Sequence, residues 1–306
     1  MMEAKAWSVV ALLSLAGSAA AQGPAGEPQD APAAVANDAS TSEPEPPAVG
    51  SAISVQINLD YTTAYFYRGI IQEDSGLILQ PAARLTANLH DSEELKLDAF
   101  AGLWNSFHGQ KTAASTDNDF VEYWYEADVY GGLTATSGKV SLTASYTFLT
   151  SPSDAFDTVQ ELGFTAALDD SAWLEAWALK PYATVAIETG SNASDGADSD
   201  TGVYLELGIG PGLVADVGST PVTLTFPVQI GLSLSDYYQD AAGNDDTFGF
   251  AQVGARASLP LGEPGRFGAW TLNGGVSLLF LGDNTKAFNS DDETEVIGTL
   301  GLQWNF

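Results

Sequence analysis

ISVQINLDYTTAYFYRGIIQ, residues 53–72, changes polarity at almost every step. Ile53, Val55, Ile57, Leu59, Tyr61, Tyr65 and Tyr67 fall on one face, while Ser54, Gln56, Asn58, Asp60 and Thr62 fall on the other. A period of two belongs to a β-strand whose faces meet different surroundings. The run ends on Arg68-Gly69, a basic turn in a chain with Lys+Arg 10 against Asp+Glu 40 and a formal net charge of -30.

The same alternation recurs over 77–89, 95–103, 121–129, 140–148, 162–168, 183–187, 203–209, 222–234, 251–259, 270–280 and 296–306, separated by Gly/Asp/Asn/Ser-rich breaks. This predicts about twelve strands, an even number. A soluble sandwich would turn the apolar faces into a core and the other faces to water. A membrane barrel turns them to lipid and encloses the polar faces, with strands of about nine to eleven residues. The apolar faces carry almost no charge, and Tyr65, Tyr67, Tyr146, Phe148, Trp270, Phe280, Trp304 and Phe306 cluster near their ends like interfacial girdles. The predicted fold class is all-β: a transmembrane antiparallel up-and-down β-barrel of about twelve strands, of bacterial outer-membrane type, spanning 52–306.

Upstream, Lys5, the apolar run Trp7–Ala16 and Ala19-Ala20-Ala21 before Gln22 predict a signal peptide over 1–21. About ten apolar residues are too few to span a bilayer of roughly 30 Å as a helix. Residues 22–51 hold six prolines and no base, which predicts a disordered acidic tail on the periplasmic side, either a spacer or a binding segment. The strong negative charge excludes nucleic acid as a partner. The absence of Cys removes disulfides and thiol chemistry, and only His90 and His108 are present for acid–base work.

With a periplasmic tail, breaks after odd strands face outward: 68–76, 108–118, 150–157, 190–200, 235–247 and 282–294. Those after even strands face inward; His90 then lies in an inner turn and His108 in an outer loop, both solvated. Within the inner segment 169–180, Trp173 and Trp177 lie four apart after Asp170 or Ser171 as N-cap, which fits a short interfacial helix or two indoles capping strand ends equally well.

Leu59-Asp60-Tyr61, then Phe66-Tyr67-Arg68-Gly69-Ile70, Gln72 and Gln80-Pro81 resemble the N-terminal signature of the TorF-type porins, outer-membrane barrels of unestablished substrate. The sequence departs from that pattern by TTAY (62–65) between the two halves and by Ile71. The resemblance implies a pore-forming barrel and supplies no catalytic residue.

The alternation turns Asp60, Asp98, Glu122, Glu126, Asp128, Glu161, Glu188, Glu206 and Glu295 into the lumen, against Arg84, Lys96 and Arg256. Such a lining favours cations and uncharged solutes if the lumen is open; the charges instead pair across it if the barrel is plugged. Tyr65 and Tyr67, with Trp270, Trp304 and Phe306, are expected at the membrane interfaces. Arg68 is expected inward at the outer mouth, close to Glu295, either as structural glue or as a lone positive constriction.

The expected function is a porin-like channel passing small solutes by diffusion; the alternative is a non-conducting structural or adhesion barrel with acidic outer loops. No enzyme is expected, because neither His lies beside a lipid-facing Ser with a carboxylate. No cofactor or specific metal site is expected. The acidic segments 194–200, 240–246 and 282–293 lack a complete calcium-loop pattern and would attract Ca²⁺ or Mg²⁺ diffusely. Expected partners are outer-membrane lipid, lipopolysaccharide, small solutes and, through the strand ending at Phe306, the barrel-assembly machinery.

Overall fold

A computed structural model describes residues 53–112, 120–194, 201–266 and 268–306. The predicted signal peptide and tail, and parts of the acidic outer loops, lie outside the described residues. The wall consists of twelve strands: β1 Ile53–Thr62, β2 Ile78–Asp91, β3 Lys96–His108, β4 Trp124–Ser137, β5 Val140–Thr150, β6 Val159–Leu168, β7 Tyr182–Glu188, β8 Val203–Ile209, β9 Val228–Ser235, β10 Phe248–Pro260, β11 Ala269–Leu281 and β12 Thr294–Asn305. Each pairs antiparallel with its sequence neighbours, and β1 pairs with β12, Leu59 opposite Leu302, so the sheet closes on itself. Closure pairs every one of the twelve wall strands on both sides, so the wall itself has no open edge.

The alternation orients the wall. Leu59, Leu85, Leu103, Val129, Leu133, Leu142, Phe164, Val276 and Leu300 stand exposed on the outside. Glu126, Asp128, Thr147, Glu161, Thr184 and Glu206 are buried inside. An apolar exterior around a polar, charged interior is the reverse of a water-soluble core, and it matches a wall that meets lipid. Trp270 stacks on its cross-strand partner Trp304 at 5.9 Å, and Trp304 lies 5.8 Å from Phe306, forming an aromatic patch at the end of the wall where β1 begins and β12 finishes, the termini end, named for the first and last described residues.

Connections at the termini end depart from plain turns. After β6 the chain makes one helical turn, α1 (Ser171–Leu174), and a short 3-10 turn, Glu175–Trp177, leaving Trp173 and Trp177 64% and 83% exposed. Of the two expectations for this segment, the helix forms. Asp170 holds the N-cap position without a side-chain capping bond; its carboxylate instead accepts the backbone N–H groups of Leu179 (3.1 Å) and Lys180 (2.9 Å), closing the loop. The segment after β8 is a β-hairpin, Gly212–Val217 with Thr220–Thr225, that prolongs β8 and β9 past Pro211 and Pro227, so the strand predicted over 222–234 is divided at Phe226-Pro227. At the opposite end, the expected loop 282–294 contains α2 (Asp283–Phe288), where the Gly282 N–H donates to Thr285 Oγ1 at 2.9 Å.

Candidate functional site: the lumen and its inward hairpin

The stretch that announces the first strand does not stay in the wall. Beyond Thr62 it leaves β1 and forms a separate two-stranded hairpin, Tyr65–Tyr67 with Ile70–Glu73, which folds into the lumen at the end remote from the termini. Its turn is Arg68-Gly69, both at positive φ (46° and 87°). Two-residue hairpin turns of this kind favour Asn-Gly, because a left-handed residue with a larger side chain costs roughly 1–2 kcal/mol. A Cβ on Gly69 would lie 2.9 Å from Phe250 Cβ, so the second position requires glycine on two counts.

The strained Arg68 is held by its guanidinium. Nη1 and Nη2 donate to the two oxygens of Glu161 on β6 at 2.5 and 2.8 Å, and Nη1 also donates to the Tyr237 hydroxyl at 2.8 Å. The group lies over the rings of Tyr204 (4.2 Å), Tyr67 (4.8 Å) and Tyr237 (5.3 Å). Its carbonyl accepts from Tyr238. The expected partner Glu295 is not involved; that carboxylate accepts from Asn289 Nδ2 beside α2.

The two tyrosines expected at the lipid interface are also inside, 4% and 2% exposed. Tyr65 donates to Glu126 at 3.0 Å and packs on Trp104; Tyr67 donates to Glu161 at 3.4 Å. The misplacement has a physical cause. A tyrosine ring with a polar tip suits a lipid interface and a carboxylate-lined interior equally, so alternation alone cannot tell the two apart.

The hairpin meets an arc of five buried carboxylates on four of the five strands β4 to β8: Glu126 and Asp128 on β4, Glu161 on β6, Glu188 on β7 and Glu206 on β8. Neutral donors hold several of them. Tyr182 and Tyr204 hydroxyls donate to Glu206 at 2.7 Å each, and the backbone N–H groups of Ser194 and Gly202 donate to Glu188 at 2.7 Å each. Gly208 permits the first of these: a Cβ there would sit 2.2 Å from the Tyr182 ring, which lies flat across the wall to reach Glu206. Both oxygens of Asp128 and Oε1 of Glu126 are buried without a well-formed hydrogen bond among the described residues, the two carboxyls facing each other with the Thr150 backbone N–H beside Asp128.

His108, expected in a solvated loop, ends β3 and is 3% exposed. Its ring stacks on Tyr125 at 4.5 Å, Nε2 lies 3.0 Å from Ser106 Oγ, and Nδ1 lies 3.8 Å from Glu73. Ser, His and a carboxylate thus meet, but the Nδ1–carboxylate distance exceeds a hydrogen bond and Ser106 is 0% exposed. The group fastens the base of the hairpin, where Tyr125 also donates to Gln72 at 2.5 Å.

Asp60, Arg84, Lys96 and Asp98 line a cavity of about 380 Å³ in the termini-side half of the lumen, floored toward the hairpin by Trp104 and Tyr130. Charge there is balanced, two acids to two bases. Lys96 lies 3.4 Å from Asp98, and Arg84 sits 4.1 Å over the Phe100 ring. Arg256 on β10 lies opposite Gly275, on the same side of the barrel as the Tyr182 hydroxyl that donates to Glu206. The negative excess therefore belongs to the hairpin layer and not to the whole lumen. Glu161 and Glu188 were legible from alternation; Tyr204, Tyr237 and Tyr238 were not, since their roles depend on loops that fold inward.

Among the described residues no helix is long and apolar enough to cross a membrane, and no group of three or more His, Cys, Asp or Glu converges as for a metal. No family model and no curated protein matches the chain. Among solved structures, the chain is similar to an outer-membrane channel from Pseudomonas putida F1, with 10% identity over 87% of this chain and 100% of that one, at a TM-score of 0.47. It is also similar to the β domain of the Bordetella autotransporter BrkA (12%, 83% and 98%, TM-score 0.41) and to the translocator domain of the autotransporter NalP from Neisseria meningitidis (13%, 84% and 89%, TM-score 0.39).

Proposed function

We propose that this barrel resides in an outer membrane and acts as a porin-like channel for small solutes, preferring cations, with the Arg68 hairpin as its constriction. The observation that carries this is the charge of the hairpin layer: five buried carboxylates and one bidentate ion pair, Arg68–Glu161. Charge confined by a low-dielectric wall acts strongly on a passing ion, so cations and neutral polar solutes are favoured. The short resemblance to TorF-type porins at Leu59–Ile70 supports the same reading. Lipid, lipopolysaccharide bridged by Ca²⁺ or Mg²⁺ at the acidic loops, and assembly machinery engaging the last strand remain the proposed partners. No catalytic step is proposed.

A second reading is favoured by the hairpin itself: packed between two buried aromatic clusters, it can close the lumen and leave a non-conducting structural barrel. Planar-bilayer recordings under a KCl gradient separate the two, using the full chain and a variant with residues 64–75 replaced by a short Gly/Ser linker. Small cation-selective currents that grow in the linker variant are expected. No current from either protein refutes the channel, and an anion-selective reversal potential refutes the role of the acidic layer.

A further inference from the structure

We infer that Glu126 and Asp128 form a binding site for a divalent cation inside the barrel, of the hard, partly hydrated class that Ca²⁺ represents. The two residues stand at i and i+2 of β4 on its luminal face, with their carboxyl groups in contact, and are 0% and 1% exposed. Glu126 Oε2 accepts from the Tyr65 hydroxyl and the Thr150 backbone N–H lies beside Asp128, but Glu126 Oε1 and the Asp128 oxygens have no well-formed hydrogen bond among the described residues other than the contact between the two carboxyls. Every other member of the carboxylate arc is satisfied by an ion pair, hydroxyls or backbone N–H groups. Buried carboxylates are paired or coordinate a metal, and here the pair meets only neutral donors, the Tyr65 hydroxyl and the Thr150 N–H, with no cation.

The surroundings set the class of ligand. With both carboxyls ionised the charge to be balanced is two, which one divalent ion meets in place of a shared proton. Fewer than three side chains of metal-binding type converge, so a tightly caged transition metal is not suited, and water with the Tyr65 oxygen would have to complete the shell. Glu161, the next carboxylate of the arc, is already engaged by the Arg68 guanidinium and leaves the Glu126–Asp128 pair as the part of the arc without a cationic partner. The rings of His108 and Tyr125 pack against Tyr65, the donor to Glu126, and the Arg68 guanidinium, the fixed positive charge of this layer, is engaged by Glu161. Access comes from the termini side: Trp104 lies opposite Asp128 in register, Tyr130 follows it by two residues, and both line the 380 Å³ cavity.

The test is independent of conductance, so its failure and that of the channel proposal are distinguishable. Tb³⁺ is titrated into the detergent-folded full chain and excited through tryptophan, with Trp104 as the adjacent donor. Saturable emission displaced by Ca²⁺ is expected, together with a Ca²⁺-dependent rise in unfolding temperature. Glu126→Gln with Asp128→Asn, which keeps shape and removes the charge, should weaken both at least about tenfold. Trp104→Phe should dim Tb³⁺ emission while keeping the Ca²⁺ stabilisation. Unchanged affinity in the amide variant overturns the site, as does loss of binding in Asp240→Asn with Asp283→Asn in the outer loops. So does a wild-type barrel that is stabilised by acid and indifferent to Ca²⁺, because the pair then shares a proton instead.

Discussion

Replacing Arg68 by Gln tests the hinge of the whole interior. The guanidinium and the Glu161 carboxylate are each 9% exposed, so their separation leaves a charge in a largely dry site. Removing one partner of a buried ion pair costs about 3–5 kcal/mol. Glutamine occupies the same left-handed turn position, so the backbone strain is unchanged, and its amide restores one neutral hydrogen bond worth about 1 kcal/mol. Tyr67 still donates to Glu161 from 3.4 Å. A loss of about 3 kcal/mol is therefore expected. Guanidinium chloride unfolding of protein refolded into phosphocholine vesicles, followed by tryptophan fluorescence, measures it. Adding Glu161→Gln removes the stranded charge, and should recover about half of the loss if the two residues are coupled. A single variant within about 0.5 kcal/mol of wild type, in the range of ordinary surface substitutions, refutes the argument. A double variant no better than the single one refutes it as well.

Three further outcomes follow from local geometry. Gly69→Ala should cost at least about 1 kcal/mol in the same unfolding assay, since alanine is disfavoured at φ 87° and its methyl meets Phe250; a neutral substitution would mean that the hairpin does not pack where it is described. Asp170 is held below the usual carboxylate range by the backbone N–H groups of Lys180 and Leu179. A lowered folded value means that its contribution is present above the unfolded pKa of about 3.9 and fades as pH falls through the lower folded one. Loop nicking by pepsin should therefore rise only in strong acid, and Asp170→Asn should expose Trp177 to chymotrypsin at neutral pH. Trp173 and Trp177, outside the wall and largely exposed, should be quenched by lipids brominated near the headgroup, and Trp173→Phe with Trp177→Phe should remove that quenched component.

The wall was legible because its physics is local and repeated. Strict alternation, breaks rich in turn residues and an even strand count are enough to specify a closed antiparallel barrel, and all twelve predicted segments became wall strands. What folds into the barrel was not legible. Tyr65 and Tyr67 continue the alternation of β1 and so appear to prolong it, yet Arg68-Gly69 is a hairpin turn that takes them into the lumen. His108 was assigned to solvent because it borders a loop, and it is buried because that loop's neighbour, the hairpin, covers it. In each case the deciding contact lies about 35 to 170 residues away in sequence, as with Glu73–His108, Tyr65–Glu126 and Tyr238–Arg68, where periodicity carries no information.

The way the carboxylate arc is satisfied bears on how the hairpin could move. Several donors to the arc belong to the hairpin: the Tyr65 and Tyr67 hydroxyls and the Arg68 guanidinium. Displacing the hairpin withdraws these together and removes the one positive charge paired with Glu161, so the lining becomes more negative as it becomes accessible. Cations in the lumen then compete with Arg68 for the same oxygens, and they favour the displaced state by their differential affinity for it. The occupancy of the hairpin and the cation preference of the barrel are on this view one equilibrium. Raising KCl should increase the open fraction of the wild-type barrel in bilayer recordings, while in Arg68→Gln, which has no charge to displace, the open fraction should be high at all salt concentrations. An open fraction independent of salt in both proteins would separate the hairpin from ion passage.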